Sequence, residues 1–282
     1  MFTNPKYIMK IWENLMKKRK KKMEYKDFEF KKPVEDEDYA ECSKYVIDSI
    51  DKIIEDAITK KENLIIINTN LKLGLPMENI NKIAGPLVEA WAFQTFYDVV
   101  EDKNNRYKLM NVEAKPRLYI ADVILQFQRE RKKANLSSTT AEVDVKATSE
   151  DIIDSGKGPN ITSFAKIRTA YVNDPDYIFL ILSLKHKVLS KRNDESNMMD
   201  AIMEITAHKT YDLKFLSSPD ISYNPALGTG QIQVKDIHYV SIVKRTSWEF
   251  CELLDSKYLK SSRRNIKQWH ELAVKHGWIK SE

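Results

Sequence analysis

The sequence predicts an α/β fold: a mixed central β-sheet flanked by helices, with helical segments at both ends of the chain. Three observations predict it. Apolar residues recur at helical spacing in the first third, β-rich runs fill the middle, and a capping-box signal opens a last helical stretch. With 282 residues, of which 42% are hydrophobic, the chain can bury a full core, so wholesale disorder is excluded. The expected organisation is a single domain over 1–282. Its 1–106 part is mainly helical, 107–245 carries the sheet, and 246–282 forms the C-terminal helices.

The elements follow in order. Pro5 to Lys22 is a helix candidate ending in Lys17-Lys18-Arg19-Lys20-Lys21-Lys22. Six adjacent positive charges repel one another and stay solvated; they suit a solvated arm, a phosphate contact or a targeting signal. Asp36 to Lys61 is a clearer helix, with Tyr39, Cys42, Val46, Ile50, Ile53, Ile54, Ala57 and Ile58 on one face. Leu64 to Ile67 is a short apolar run that reads as a buried strand or a packing loop. An Asn-rich stretch from Asn79 leads to a second helix, where Gly85-Pro86 suits a start and Leu87 to Val100 supplies an apolar body. Glu89 is the one carboxylate in the middle of that body.

The character changes after about Tyr107. Arg117 to Phe127 and Ala141 to Ala147 read as strands joined by a long polar connection, Gln128 to Thr140. Asp176 to Lys185 (DYIFLILSLK) is an unbroken β-rich run, as in a strand covered on both faces at mid-sheet. Gln231 to Lys244 supplies further strand. Thr246-x-x-Glu249 is a capping box opening a helix through about Tyr258. A final helix from about Ser262 stops at Gly277, a C-cap position. Trp248, Trp269, Trp278, Tyr171, Phe179 and Tyr177 are assigned to packing.

Composition excludes several function classes. Lys+Arg exceed Asp+Glu by 46 − 41 = 5, which permits an anionic partner without requiring one. The seven glycines allow neither a GxxxxGK[ST] nor a GxGxxG phosphate fingerprint. Cys42 and Cys251 lie far apart, and the five histidines make no metal-type pair. Tyr177 to Leu184 is far short of the ~20 apolar residues that span a bilayer. The N-terminus lacks the apolar core of a signal segment. A soluble, cytoplasmic protein without a membrane partner is expected.

Chemistry concentrates in Asp122 … Glu142-Val143-Asp144-Val145-Lys146. In a strand, Glu142, Asp144 and Lys146 share one face while Val143 and Val145 point into the core. If the Asp122 strand pairs alongside, two carboxylates and an ammonium converge, the combination that phosphodiester hydrolysis needs. Paired carboxylates suit Mg²⁺, and the ammonium suits a developing negative oxygen. The same alternation also suits a solvated strand face. Asp122, however, stands among Ile120, Val123, Ile124 and Leu125, where an unpaired carboxylate is costly.

These residues resemble the PD-(D/E)-x-K nuclease signature, with Asp122 as first acid, Asp144 as second and Lys146 as the lysine; Ala121 stands where the signature's name has proline. Ala121 to Leu125, Val143 to Lys146, Gly158-Pro159-Asn160-Ile161-x-Ser163, and Gln231-Ile232-Gln233 with Lys235-Asp236 resemble, in matching order, the blunt-cutting type II restriction endonucleases typified by HincII and related to EcoRV. The resemblance covers roughly Ala121 to Lys260. It implies a restriction-endonuclease-like core in which Asp122 and Asp144 bind Mg²⁺ and Lys146 orients or activates the attacking water. It also implies a homodimer acting on a short palindrome in double-stranded DNA, leaving blunt 5′-phosphate ends, with a cognate DNA methyltransferase as a functional partner.

Asn160 is the first base-reading candidate, with Lys157 and Gly158 on the same loop near DNA. Gly228, Thr229, Gly230 and Gln231 form a second contact candidate. Glu142 is either an acid supporting the site or a solvated edge charge. Glu89 is either an accessory carboxylate or a helix-surface acid. Lys260, Arg263, Arg264 and Lys267 form a basic cluster that suits a solvated face or phosphate contact. Two alternatives remain open: a non-specific or structure-specific nuclease of the same superfamily, and a catalytically inactive DNA-binding protein.

Overall fold

A computed structural model describes residues 23–116, 119–129, 138–150, 158–234 and 240–280. The expected helix from Pro5 to Lys22, most of the polar connection after Gln128, and Lys157 lie outside the described residues.

The N-terminal part forms α1 (Tyr39–Thr59), β1 (Leu64–Leu71), α2 (Met77–Lys82) and α3 (Ala84–Glu101). The sheet region follows with β2 (Leu109–Ala114), β3 (Val123–Phe127), β4 (Thr139–Ser149) and β5 (Asn160–Ser163). After α4 (Phe164–Asn173) come β6 (Ile178–Arg192), β7 (Met199–Asp212), β8 (Ile221–Asn224) and β9 (Gln231–Val234). The chain closes with α5 (Ser247–Leu259) and α6 (Ile266–His276). The expected α/β class holds. One six-stranded sheet has the order β1-β7-β6-β4-β3-β2, and a three-stranded sheet has the order β5-β9-β8. The larger sheet is mixed, because β4 runs parallel to β6 while its other pairs are antiparallel.

Each face of the large sheet has its own core. Val46, Ile50 and Ile54 of α1 and Val88, Ala92 and Phe96 of α3 pack with Val143, Val145, Leu180 and Leu182. The opposite face buries Phe179 and Ile181 against Phe164, Phe250, Leu254, Trp269 and Trp278, together with Ile232 and Val234 of the small sheet. The mid-sheet expectation for DYIFLILSLK holds: β6 lies between β4 and β7, and its first seven residues are all buried. It runs on to Arg192 because β7 pairs with it along its length.

Three expectations need correction, and one strand lies where none is expected. Leu64 to Ile67 is neither a buried strand nor a packing loop but the start of an edge strand, with Leu64 and Ile66 exposed. Of the strand expected from Arg117 to Phe127, the described part is strand only from Val123; Tyr119 to Asp122 lie outside it, and Lys115 N–H donates to Asp122 O (2.8 Å). β2 was not anticipated, since LMNVEA is a partly polar edge strand with only Leu109 buried. Among the described residues the Gln231 strand ends at Val234, and Ile242 makes an isolated bridge to Leu216. The C-terminal signals hold. Thr246 and Glu249 form the reciprocal capping box of α5, and Gly277 caps α6 at φ 67°.

Candidate active site

The antiparallel register of β3 and β4 pairs Val123 with Val143, so Asp122, one residue before β3, stands across from Asp144. Two hydrogen bonds fix that relation. Asp122 N–H donates to Val143 O at 3.1 Å, and Val145 N–H donates to Asp122 Oδ2 at 2.8 Å. The alternation expected in EVDVK is present: Val143 and Val145 enter the core under α1 and α3, while Asp144 lies on the other face. The convergence needed for the site is therefore built by backbone pairing between strands separated by a long connection.

Asp144 is buried, with a relative exposure of 4%. Lys146 Nζ lies 2.8 Å from its Oδ2, close enough for an ion pair. Apart from that ion pair, the buried oxygen has no hydrogen-bond partner among the described residues. Burial pushes the Asp144 carboxyl up to about 7, with Lys146 opposing and Asp122 and Glu89 reinforcing the rise. Glu89, on α3, is also raised above the ordinary carboxylate range, first by burial and then by Asp122, with Lys146 opposing. Glu89, half-buried on α3, is thus within electrostatic reach of Asp122 and Lys146.

Glu142 shares the strand face but has other partners. Its carboxylate accepts hydrogen bonds from Tyr119 Oη at 2.9 Å and from Tyr177 Oη. It is therefore not a freely solvated edge charge. It borders a cavity of about 570 Å³ with Lys166, Thr169, Lys275 and His276. One of its two phenol partners, Tyr177, is a residue assigned to packing from sequence.

The two candidate DNA-contact segments meet on the small sheet. Asn160 is exposed and pairs in register with Gln233, whose Nε2 donates to Asn160 Oδ1 (3.0 Å) and to Gly158 O (3.2 Å). Thr229 Oγ1 lies 2.9 Å from Ser163 Oγ, joining the 228–230 turn to the end of β5. Gly228 and Gly230 both have positive φ, 51° and 91°. At Gly230 a Cβ would meet the Tyr223 ring at 2.2 Å, so the turn admits only glycine there. Gln231 opens β9 and is half-buried. Gln233 was missed as a candidate, although the alternation of Gln231 and Gln233 with Ile232 and Val234 carries the signal.

Comparison with known proteins reports on the chain as a whole. A family model described as "Type II restriction endonuclease HpaI" matches residues 26–277. The chain belongs to the HpaI family of type II restriction endonucleases. A curated relative, "Type II restriction enzyme HpaI" of Haemophilus parainfluenzae, is 56% identical over 258 residues, covering 92% of this chain and 100% of the relative. Membership in that family makes the chain a site-specific deoxyribonuclease. Among solved structures, the NlaIV restriction endonuclease is 14% identical with a TM-score of 0.38, covering 68% of this chain and 70% of that one. That likeness is too loose to carry residues across. Among the described residues no helix is long and apolar enough to cross a membrane.

Proposed function

We propose that the chain hydrolyses both strands of a short palindromic DNA site with Mg²⁺, using Asp122, Asp144 and Lys146 in a PD-(D/E)-x-K arrangement of the HincII/EcoRV-like, blunt-cutting kind. The observation that carries this is the Asp122–Asp144–Lys146 cluster, built where β3 and β4 pair, with the buried Asp144 carboxylate facing the Lys146 ammonium.

The donor set suits a hard divalent cation. Mg²⁺ keeps several waters and is held by one or two carboxylates together with substrate phosphate oxygens. A protein cage is not required, and among the described residues no group of three or more His, Cys, Asp or Glu side chains could form one. Asp122 and Asp144 would hold the ion, and Glu89 lies near enough to modulate its charge balance. When bound, the ion supplies Lewis-acid polarisation of the scissile phosphoryl group.

The chain's own residues do the rest. Val145 N–H keeps one Asp122 oxygen oriented. Lys146 Nζ, 19% exposed and paired with Asp144, is placed to orient water for in-line attack and to offset negative charge developing at phosphorus. The 3′-hydroxyl leaves and the 5′-phosphate remains. Gly158, Asn160 and Gly228 to Gln231 lie on the DNA-facing side, with Lys157 assigned to the same loop. Asn160 presents an amide able to read a base edge. Two protomers related by a two-fold axis would match a palindrome and cut one strand each. A cognate methyltransferase would protect the host's own sites.

The test is cleavage of a long, unmethylated, fully sequenced DNA with Mg²⁺ and, separately, with EDTA. Discrete fragments that vanish with EDTA, with flush 5′-phosphorylated ends at a palindrome, are expected. Discrete fragments in EDTA would overturn the metal assignment, and staggered ends would overturn the blunt-cutting one.

A further inference from the structure

Arg264 lies in the connection between α5 and α6, within a run of basic residues whose other members point to solvent. Lys260, Arg263 and Lys267 are exposed, whereas Arg264 is half-buried. Its guanidinium is committed to the turn before β9. Nε donates to Tyr223 Oη at 2.8 Å, and Nη2 donates to Pro225 O at 3.0 Å and Gly228 O at 2.7 Å. Tyr223 Oη passes the connection on, donating to Thr229 O at 2.8 Å. Three residues of one turn, Pro225, Gly228 and Thr229, are thus tied, directly or through one phenol, to a single side chain.

The surroundings stiffen the clamp. The guanidinium carbon lies 5.5 Å from the Tyr258 ring centroid. Tyr258 stacks on Phe164 at 4.7 Å, and Tyr223 contacts both rings. Phe164 opens α4 directly after β5, and its N–H donates to Gly230 O at 3.0 Å. On the far side, Thr229 reaches Ser163. The turn is therefore held between the C-terminal region and the end of the strand that begins at Asn160.

We propose that Arg264 is a positioning residue for DNA recognition. It sets the 225–230 turn, and through it Gln231 and the adjoining Asn160 strand, at the height needed to meet the DNA. This rests on the proposal above that the 228–231 segment contacts DNA. Arginine suits the role because its planar fork holds several acceptors at fixed angles, which an ammonium on a flexible stem does not.

The experiment compares Arg264→Ala, Arg264→Lys, Tyr223→Phe and Gln231→Ala in the full chain. The substrate is a duplex carrying the site mapped by cleavage, alongside duplexes with one base pair changed. KM, kcat, the ratio of cognate to altered-site cleavage, and the salt dependence of binding are read. Arg264→Ala is expected to raise KM and reduce discrimination by about 10- to 100-fold, since small misplacements cost that much. Its thermal midpoint should stay near that of the parent. Lysine should not rescue it, and Tyr223→Phe should shift the same quantities less; it also serves as the test if the alanine variant does not fold.

Loss of discrimination in both Arg264→Ala and Gln231→Ala, with an unchanged salt slope, supports the proposal. Loss in Gln231→Ala with full discrimination in the Arg264 and Tyr223 variants overturns the clamp while leaving the contact segment standing. No loss in any variant overturns the contact segment and the clamp together. Loss in Arg264→Ala with a salt slope reduced by about one marks a direct phosphate contact and overturns positioning. Loss without Gln231→Ala sharing it likewise overturns the role assigned here.

Discussion

Replacing Asp144 with asparagine removes a charge that the fold holds at a cost. In the folded chain burial pushes the Asp144 carboxyl up to about 7, against an ordinary value of 3.8. The sign follows from which state binds the proton better. The folded chain favours the protonated acid, so this residue's contribution is fully present below pH 3.8. It is lost as pH rises through about 7 and stays lost above that. A gap of that size corresponds to roughly 4 kcal/mol at pH 8. Asparagine has nearly the shape of the protonated acid and carries no charge. In metal-free buffer with EDTA, Asp144→Asn is therefore expected to melt about 8–16 °C above the parent at pH 8, given ~2–4 °C per kcal/mol for a chain of this size. The difference should shrink steadily as pH falls toward 4. Differential scanning calorimetry across that range is the assay, paired with cleavage, which the variant should lack. Added Mg²⁺ should stabilise the parent and leave the variant unmoved. A variant no more stable at pH 8, or a gain independent of pH, would refute the view that an underpaired buried carboxylate is stored at this position.

Other predictions bear on the remaining parts of the site. Lys146→Ala should lower the cleavage rate by roughly 10²–10³-fold or more while retaining binding to the specific site; undiminished cleavage would remove the lysine from the chemistry. Asn160→Ala should cost about 1–3 kcal/mol of discrimination at the base it reads, measured as relative cleavage of single-base variants, with the metal response intact. Gly230→Ala adds a Cβ 2.2 Å from the Tyr223 ring at a backbone φ of 91°. It should lower the melting midpoint and impair site-specific cutting together, and a fully active, equally stable variant would show that the turn yields freely.

Much of the chain's architecture is legible in its sequence. Wherever periodicity and capping chemistry act over neighbouring residues, the elements are where the sequence puts them: the amphipathic helix around Ile50 and Ile54, the apolar first half of β6, the Thr246/Glu249 box and the Gly277 cap. The pairing of Asp122 with Asp144 and Lys146 could be suspected, because each lies where an apolar strand is interrupted by charge. Register was the missing quantity. That Asp122 sits across from Asp144, and not a residue away on the other face, depends on the β3–β4 ladder closing around a long polar connection.

Edges and clamps were the least legible. β1 and β2 are outer strands whose pairing partners lie far along the chain or whose composition is half polar, so local pattern alone underdetermines them. Arg264 reads as one more positive charge among Lys260, Arg263 and Lys267; only the packing of the α5–α6 connection against the 225–230 turn turns its donors inward. Glu142 and Tyr177 are 35 residues apart, and the parallel alignment of β4 beside β6 brings them together. The sequence by itself determined which groups are available: two carboxylates, an ammonium, an exposed amide and permissive glycines in a chain able to bury a core. Tertiary structure decided which of them share a volume and at what electrostatic cost, because strand register and burial are properties of partners distant in sequence.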